Sequence, residues 1–192
     1  MLESLEQAQE RGANIICEVT GYECLTHGKS LLAPSELAIQ KVIGHTLIEA
    51  GWEPHEMDVL SPHGSGTNVG NKVEVRGMKS VLGSTLDEIK QDKYRDQDSL
   101  DKSKFSNTSI SALKGQIGHL NLASGATEAA ILIKGMNDNV VPGTYGLKNP
   151  IDDDLNFTKQ GEHHFKEVNK LVKYVMGFGG NMACLAFEKF KQ

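Results

Sequence analysis

The chain has 192 residues, of which 39% are hydrophobic and 23% charged, the proportions of a globular protein of ordinary single-domain size. A net charge of −5 gives it no pull toward nucleic acid or an anionic membrane, and no apolar run approaches the roughly 20 residues of a membrane span. Cys17, Cys24 and Cys184 are a sparse, odd set without CxxC spacing, which fits reducing, cytoplasmic surroundings and argues against a disulfide frame or a zinc site.

The first residues are charged and helical and do not read as a signal peptide. Residues 4–11 form a predicted helix, closed by Gly12. Residues 14–20 are β-rich and mostly apolar, which predicts a buried strand, with a loop over 21–32. Pro34, Ser35 and Glu36 open a helix that runs to Ala50 and stops at Gly51, with Leu37, Val42, Ile43, Leu47 and Ile48 at helical spacing. A short strand over 57–60 delivers a glycine-rich loop over 61–70, and a helix follows over 72–82. Residues 84–104 mix acids and bases and read as a solvated surface insertion. A strand over 105–110 leads to Lys114 and His119, then a run of small residues opens a helix over 126–135. Turns are expected at 140–143 and 149–154, a short strand at 155–157 and a polar loop at 161–166. A strand over 171–176 ends in a glycine turn, and a last strand over 183–187 returns antiparallel to it. Strands alternating with helices predict a layered α/β fold.

Three glycine-rich elements adjoin predicted strand ends: 63–70, 114–125 and 177–181. In an α/β sheet such loops converge at the carboxyl ends of the strands. Two of them carry a histidine, His63 and His119, with Lys114 near the second. Two convergent imidazoles can donate hydrogen bonds to a carbonyl oxygen that gains negative charge. Ser65 and Thr67 add hydroxyls suited to an amide-bearing ligand. Alone, the Lys114–His119 stretch also reads as a helix packed through glycine, with a surface lysine and a core histidine. A phosphate loop is disfavoured because the GxxxxGK[ST] pattern is absent, and a metal site because the two histidines have no third ligand at a recognisable spacing. His163 and His164 fall in the polar loop and read as surface.

Three motifs, in order, resemble those of the carboxyl-terminal half of β-ketoacyl synthases. His63, Gly64, Ser65, Gly66 and Thr67, with Glu74 downstream, resemble HGTGT…E. Lys114, Gly118, His119, Leu120 and the run Ala123, Ser124, Gly125, Ala126 resemble KSxxGHxxGAAG. Gly177, Phe178, Gly179, Gly180 and Asn181 resemble GFGGTN. Ala33-Pro34-Ser35, the Val141-Pro142-Gly143 turn and Asn149-Pro150 also fall where that family has them. The chain departs from the pattern at Asn68 and Asn71, where the family has Pro and Asp, at Leu122, and in lacking the closing Thr.

The resemblance implies a thiolase-like layered α/β fold, a mixed sheet flanked by helices. It implies that His63 and His119 are the two histidines of a Cys-His-His triad, that Lys114 pairs with Glu74 to order the site, and that Ser65 and Thr67 hold a phosphopantetheine arm. Phe178 resembles the residue that gates the nucleophile, and Gly179 and Gly180 keep backbone close to the acyl thioester. No bound cofactor is implied; the arm arrives on an acyl carrier protein. Residues 1–32 are expected to be the trailing helix and strand of the amino-terminal half, stripped of their sheet partners, and 33–192 the carboxyl-terminal half. The catalytic cysteine of the family lies in the amino-terminal half. Cys17 and Cys184 read as core residues, and nothing around Cys24 resembles a nucleophile's turn. Activity is therefore expected to need a cysteine-bearing half or a ketosynthase partner, in a dimer or other assembly. The rival reading is a non-catalytic partner subunit akin to chain-length factors.

Overall fold

The computed structural model describes residues 1–191. In chain order the elements are α1 (Leu5–Glu10), β1 (Cys17–Thr26), α2 (Glu36–Ala50), β2 (Val59–Ser61), α3 (Asn68–Gly83), α4 (Leu86–Lys90), β3 (Ser109–Ile110), α5 (Lys114–Ile117), α6 (Ser124–Asp138), β4 (Val140–Val141), β5 (His164–Phe165), β6 (Lys170–Met176) and β7 (Asn181–Lys189). Among the described residues no helix is long and apolar enough to cross a membrane.

Five strands form one mixed sheet in the order β1-β7-β6-β2-β3. β2 is parallel to both β3 and β6, while β7 is antiparallel to β6 and β1. The carboxyl ends of β2, β3 and β6 therefore emerge on one edge, and the three glycine-rich loops of the sequence begin there. One face of the sheet packs on α2 and α3 through Ile39, Val42, Ile43, Leu47, Met78 and Leu82. The other packs on α6 through Leu132 and Met136. The alternation of a strand distributes β6 between the two: Leu171 joins the α6 side, Val172 and Tyr174 the α2–α3 side.

The helix starts follow the side chains available. Ser35 and Thr67 stand in extended backbone, and their hydroxyls accept the amide hydrogens of Ala38 and Gly70. Gly51 closes α2 with a left-handed backbone, φ 71°. The Thr67 cap starts α3 four residues earlier than the apolar spacing suggests.

Several expectations are corrected. The first strand does not end at Thr20. It continues through Gly21, at a register shift between Val19 and Gly21, to Thr26, so the expected loop over 21–32 is strand for its first six residues. Glycine is needed there because a Cβ would lie 2.4 Å from the Thr46 carbonyl oxygen of α2; it marks a close approach and not a chain break. This strand has not lost its partners. It pairs along its length with β7 and is the edge strand of the same sheet.

The segment 84–104 is anchored, not merely solvated. Thr85 and Glu88 form a capping box, and Leu86 and Ile89 are buried against the α2–α3 core, with Tyr94 and Leu100 packed beside them. Charges outnumber these apolar side chains and mask their spacing. The expected turn at 140–143 and loop at 161–166 contribute a two-stranded antiparallel ribbon, β4 with β5. The expected strand at 155–157 makes only an isolated bridge from Phe157 to Ile110, and that at 105–110 shortens to Ser109–Ile110. His164 is half-buried, with its Nδ1 2.9 Å from Ser109 Oγ and 3.2 Å from Thr158 Oγ1, so it is not plain surface. Cys24 is exposed on β1 and not in a loop.

Candidate functional site

The loop after β2 and the turn after α5 bring His63 and His119 together, with ring centroids 5.3 Å apart and planes at 73°. The sequence places these rings 56 positions apart; the parallel pairing of β2 with β3 makes them neighbours. Both line a cavity of about 580 Å³, whose walls include Ser65, Thr67, Met176 and Phe178 and the segment from His27 to Ser35. That volume suits a small-molecule or thioester ligand. Phe178 is 75% exposed at its edge. Gly179 and Gly180, at φ 78° and 79°, fold the β6–β7 connection tightly enough for Gly179 N–H to donate to Leu31 O, and Gly180 O to accept from His27 N–H. Asn181 follows directly and locks the turn, its amide donating to Phe178 O and its Oδ1 accepting from the Thr26 hydroxyl.

Both imidazoles have Nδ1 engaged as an acceptor. Met176 N–H donates to Nδ1 of His63 at 3.3 Å, and Asn121 N–H donates to Nδ1 of His119 at 3.1 Å. A neutral imidazole whose Nδ1 accepts carries its proton on Nε2, so the hydrogen-bond network assigns both rings as Nε2–H donors. The Ser124 hydroxyl, 3.3 Å from the same Nδ1 of His119, accepts from Leu120 N–H and ties the ring to the start of α6.

Behind His63 lies a buried cluster of charges. Lys114 donates to His63 O and to Glu128 Oε1, each at 2.6 Å. Lys173 donates to Pro62 O at 2.7 Å and pairs with the other oxygen of Glu128. Glu74 lies on the opposite face of the sheet; it accepts from Gly64 N–H at 3.0 Å and from the Tyr174 hydroxyl at 2.7 Å. The expected Lys114–Glu74 pair is therefore corrected: the partner of Lys114 is Glu128. Glu74 belongs to α3, which covers one side of the sheet, while Lys114 packs beneath α6 on the other. Glu128, Lys173 and Tyr174 escape sequence reasoning. The usable signal is a lone acid on an otherwise apolar helix face and a lone lysine inside an apolar strand, since such charges enter a core only when paired.

Ser65 and Thr67 lie on the cavity wall with their hydroxyl oxygens 3.4 Å apart, and Thr67 doubles as the cap of α3. None of the three cysteines lines the cavity. Burial raises the Cys17 thiol and pushes that of Cys184 up to about 12, the wrong direction for a nucleophile.

Burial drives the pKa of His63 down to about 3, with Lys114, Lys173 and His119 adding to the depression. The ring is thus neutral across the physiological range. An unfolded histidine binds a proton near pH 6.5 and this folded one does not until about 3, so stability should fall as pH drops through that window. The limiting slope is about 1.4 kcal/mol per pH unit. Denaturant midpoints at pH 7, 6 and 5 should fall less steeply in His63→Asn than in the unsubstituted chain. Equal slopes would count against a neutral buried His63.

The family model described as "Beta-ketoacyl synthase, C-terminal domain" matches residues 16–94 and 96–148. The 3-oxoacyl-[acyl-carrier-protein] synthase 2 of Staphylococcus aureus (strain COL) is 29% identical over 194 aligned residues, spanning 100% of this chain and 42% of that protein. The chain thus spans well under half the length of the curated relative. Among solved structures, the ishigamide ketosynthase/chain length factor superposes with a TM-score of 0.80 at 26% identity, covering 98% of this chain and 42% of that one. The AntDE:AntF complex, a type II PKS acyl-carrier protein with its ketosynthase, gives 0.79 at 22% identity over 98% of this chain and 42% of that one, a likeness of fold.

Proposed function

Since the chain belongs to the β-ketoacyl synthase family, as a carboxyl-terminal domain with the thiolase-like layered α/β fold, we propose that it supplies the histidine half of a decarboxylative condensing site. The observation that carries this reading is the pair of Nε2–H imidazoles beside one cavity. When a malonyl thioester loses CO2, the electron pair of the breaking carbon–carbon bond moves onto the thioester oxygen. Two imidazole N–H donors stabilise that enolate without giving up a full proton. The enolate carbon then attacks an acyl thioester on a cysteine, and the thiolate leaves.

That cysteine comes from a cysteine-bearing half, on a separate chain or on the same longer polypeptide, because Cys17, Cys24 and Cys184 stand away from the cavity. In this reading Ser65 and Thr67, on the cavity wall, hydrogen-bond the phosphopantetheine arm of an acyl carrier protein, and Phe178, on the same wall, gates the entrance to the sulfur. Lys114 orders the His63 loop through its carbonyl.

The test is reconstitution. The chain is mixed with, or joined to, the cysteine-bearing half of a close relative and given acyl and malonyl carrier protein. A 3-ketoacyl product is expected from the pair and from neither part alone. Absence of product from a stably associated pair, or product from this chain by itself, would overturn the proposal.

A further inference from the structure

We infer that Lys173 is a positioning residue for His63: with Lys114 and Glu128 it forms a buried fork that fixes the loop carrying the ring. The inference rests on the reading of His63 as a site residue, and it assigns a role to a lysine that no part of that reading requires.

The geometry is specific. Glu128 holds one lysine on each carboxylate oxygen. The two ammonium groups then donate to consecutive carbonyls, Lys173 to Pro62 O and Lys114 to His63 O. On the other side, Gly64 N–H is held by the Glu74 carboxylate. The peptide units on both sides of His63 Cα are therefore pinned by charged groups that are themselves almost fully buried. Lys173 and the Met176 amide that donates to His63 Nδ1 lie on the same strand, β6. Lys173 thus ties the backbone of the loop to the strand that also sets the ring's tautomer.

Stability alone does not account for the lysine. Taking a second ammonium into the core beside a carboxylate that already has a partner adds desolvation, and an apolar side chain of similar volume is usually no worse. What the second lysine adds is a donor aimed at Pro62 O and a positive charge behind the imidazole. That charge disfavours a second proton on His63, which keeps the ring a neutral donor. The charges that act on Lys173 are Glu128 of α6, Lys114 of α5 and, across the sheet, Glu74 of α3; Lys173 acts in turn on His63 and on Cys184 of β7. Burial is the largest influence and lowers the pKa of Lys173 to about 8, with Glu128 opposing.

The experiment follows the His63 ring in the full 192-residue chain by long-range proton–nitrogen NMR of ¹⁵N-labelled protein from pH 9.5 to 5. In the unsubstituted chain, the His63 nitrogens should hold the Nε2–H pattern and show a step between pH 7 and 9 that tracks the Lys173 Nζ signal. In Lys173→Met the step should vanish. Flat His63 signals through that range, or a step that persists in the variant, would overturn the inference. If Lys173→Met does not fold, the step in the unsubstituted chain decides alone. In the reconstituted enzyme the same variant should lower kcat and leave KM within twofold; the reverse split would also overturn it. The NMR arm needs no turnover, so a failure of the condensing reading, seen as His63→Ala with unchanged output, remains separable.

Discussion

Alanine in place of His119 is expected to lower product formation by the reconstituted enzyme about 10²–10³-fold, the loss that follows removal of one preorganised donor from an oxyanion site. His119 is exposed on the described chain, and its ring contacts are with His63, Ser124 and the Asn121 amide. Unfolding free energy should therefore move by no more than about 0.5 kcal/mol, as for other surface substitutions. A large kinetic loss with an intact fold would place the effect in the chemistry. His63→Ala should lose as much activity but also some stability, because that ring is buried and bonded to β6. Double replacement should cost less than the product of the two, since both donors serve one oxygen. A non-catalytic partner subunit predicts the opposite: full output with either ring removed. Output within twofold of the unsubstituted complex would sink the condensing reading.

The elements that carry the rings were legible in the sequence because their signals are local. A glycine-rich loop after a short apolar strand announces a strand end, and hydroxyl-bearing residues before helices announce caps. His63 and His119 could be paired from that logic, and the structure brings their rings together. The partnership of Lys114 could not. Glu74 and Glu128 are both acids inside helices, and only the layer each helix occupies decides which one reaches the lysine. That layer is a tertiary fact with no local trace. Gly21 shows the same limit in the backbone: read alone it ends a strand, yet in the fold it lets α2 approach one. Leu86 and Ile89 were hidden differently, by charges that dilute the apolar period of their segment.

The same cluster yields the largest expected change in stability. Glu128→Ala should destabilise the chain by about 3–5 kcal/mol, because it leaves Lys114 and Lys173 as buried cations without their shared carboxylate. That is a large part of the about 5–15 kcal/mol that holds a typical domain folded. The loss should depend on pH in a defined direction. A lysine whose folded pKa lies below its unfolded value near 10.5 binds fewer protons when folded, so stability rises with pH between the two values. For Lys173 that window opens at about 8 with Glu128 present, and lower without it. Denaturant midpoints for Glu128→Ala should therefore recover between pH 7 and 10 more than those of the unsubstituted chain. A deficit below 1 kcal/mol at pH 7, or one that does not shrink with pH, would show that the cluster is less coupled than its geometry implies. A triple replacement, Glu128→Leu with Lys114→Met and Lys173→Met, separates the two duties of the cluster. It removes every stranded charge and should restore much of the stability, as apolar substitutes for buried ion pairs often do. It also removes both donors to the His63 loop, so the condensing rate should stay low. Stability without turnover would mean that these charges serve to hold an imidazole in place, at some cost to the stability of the fold.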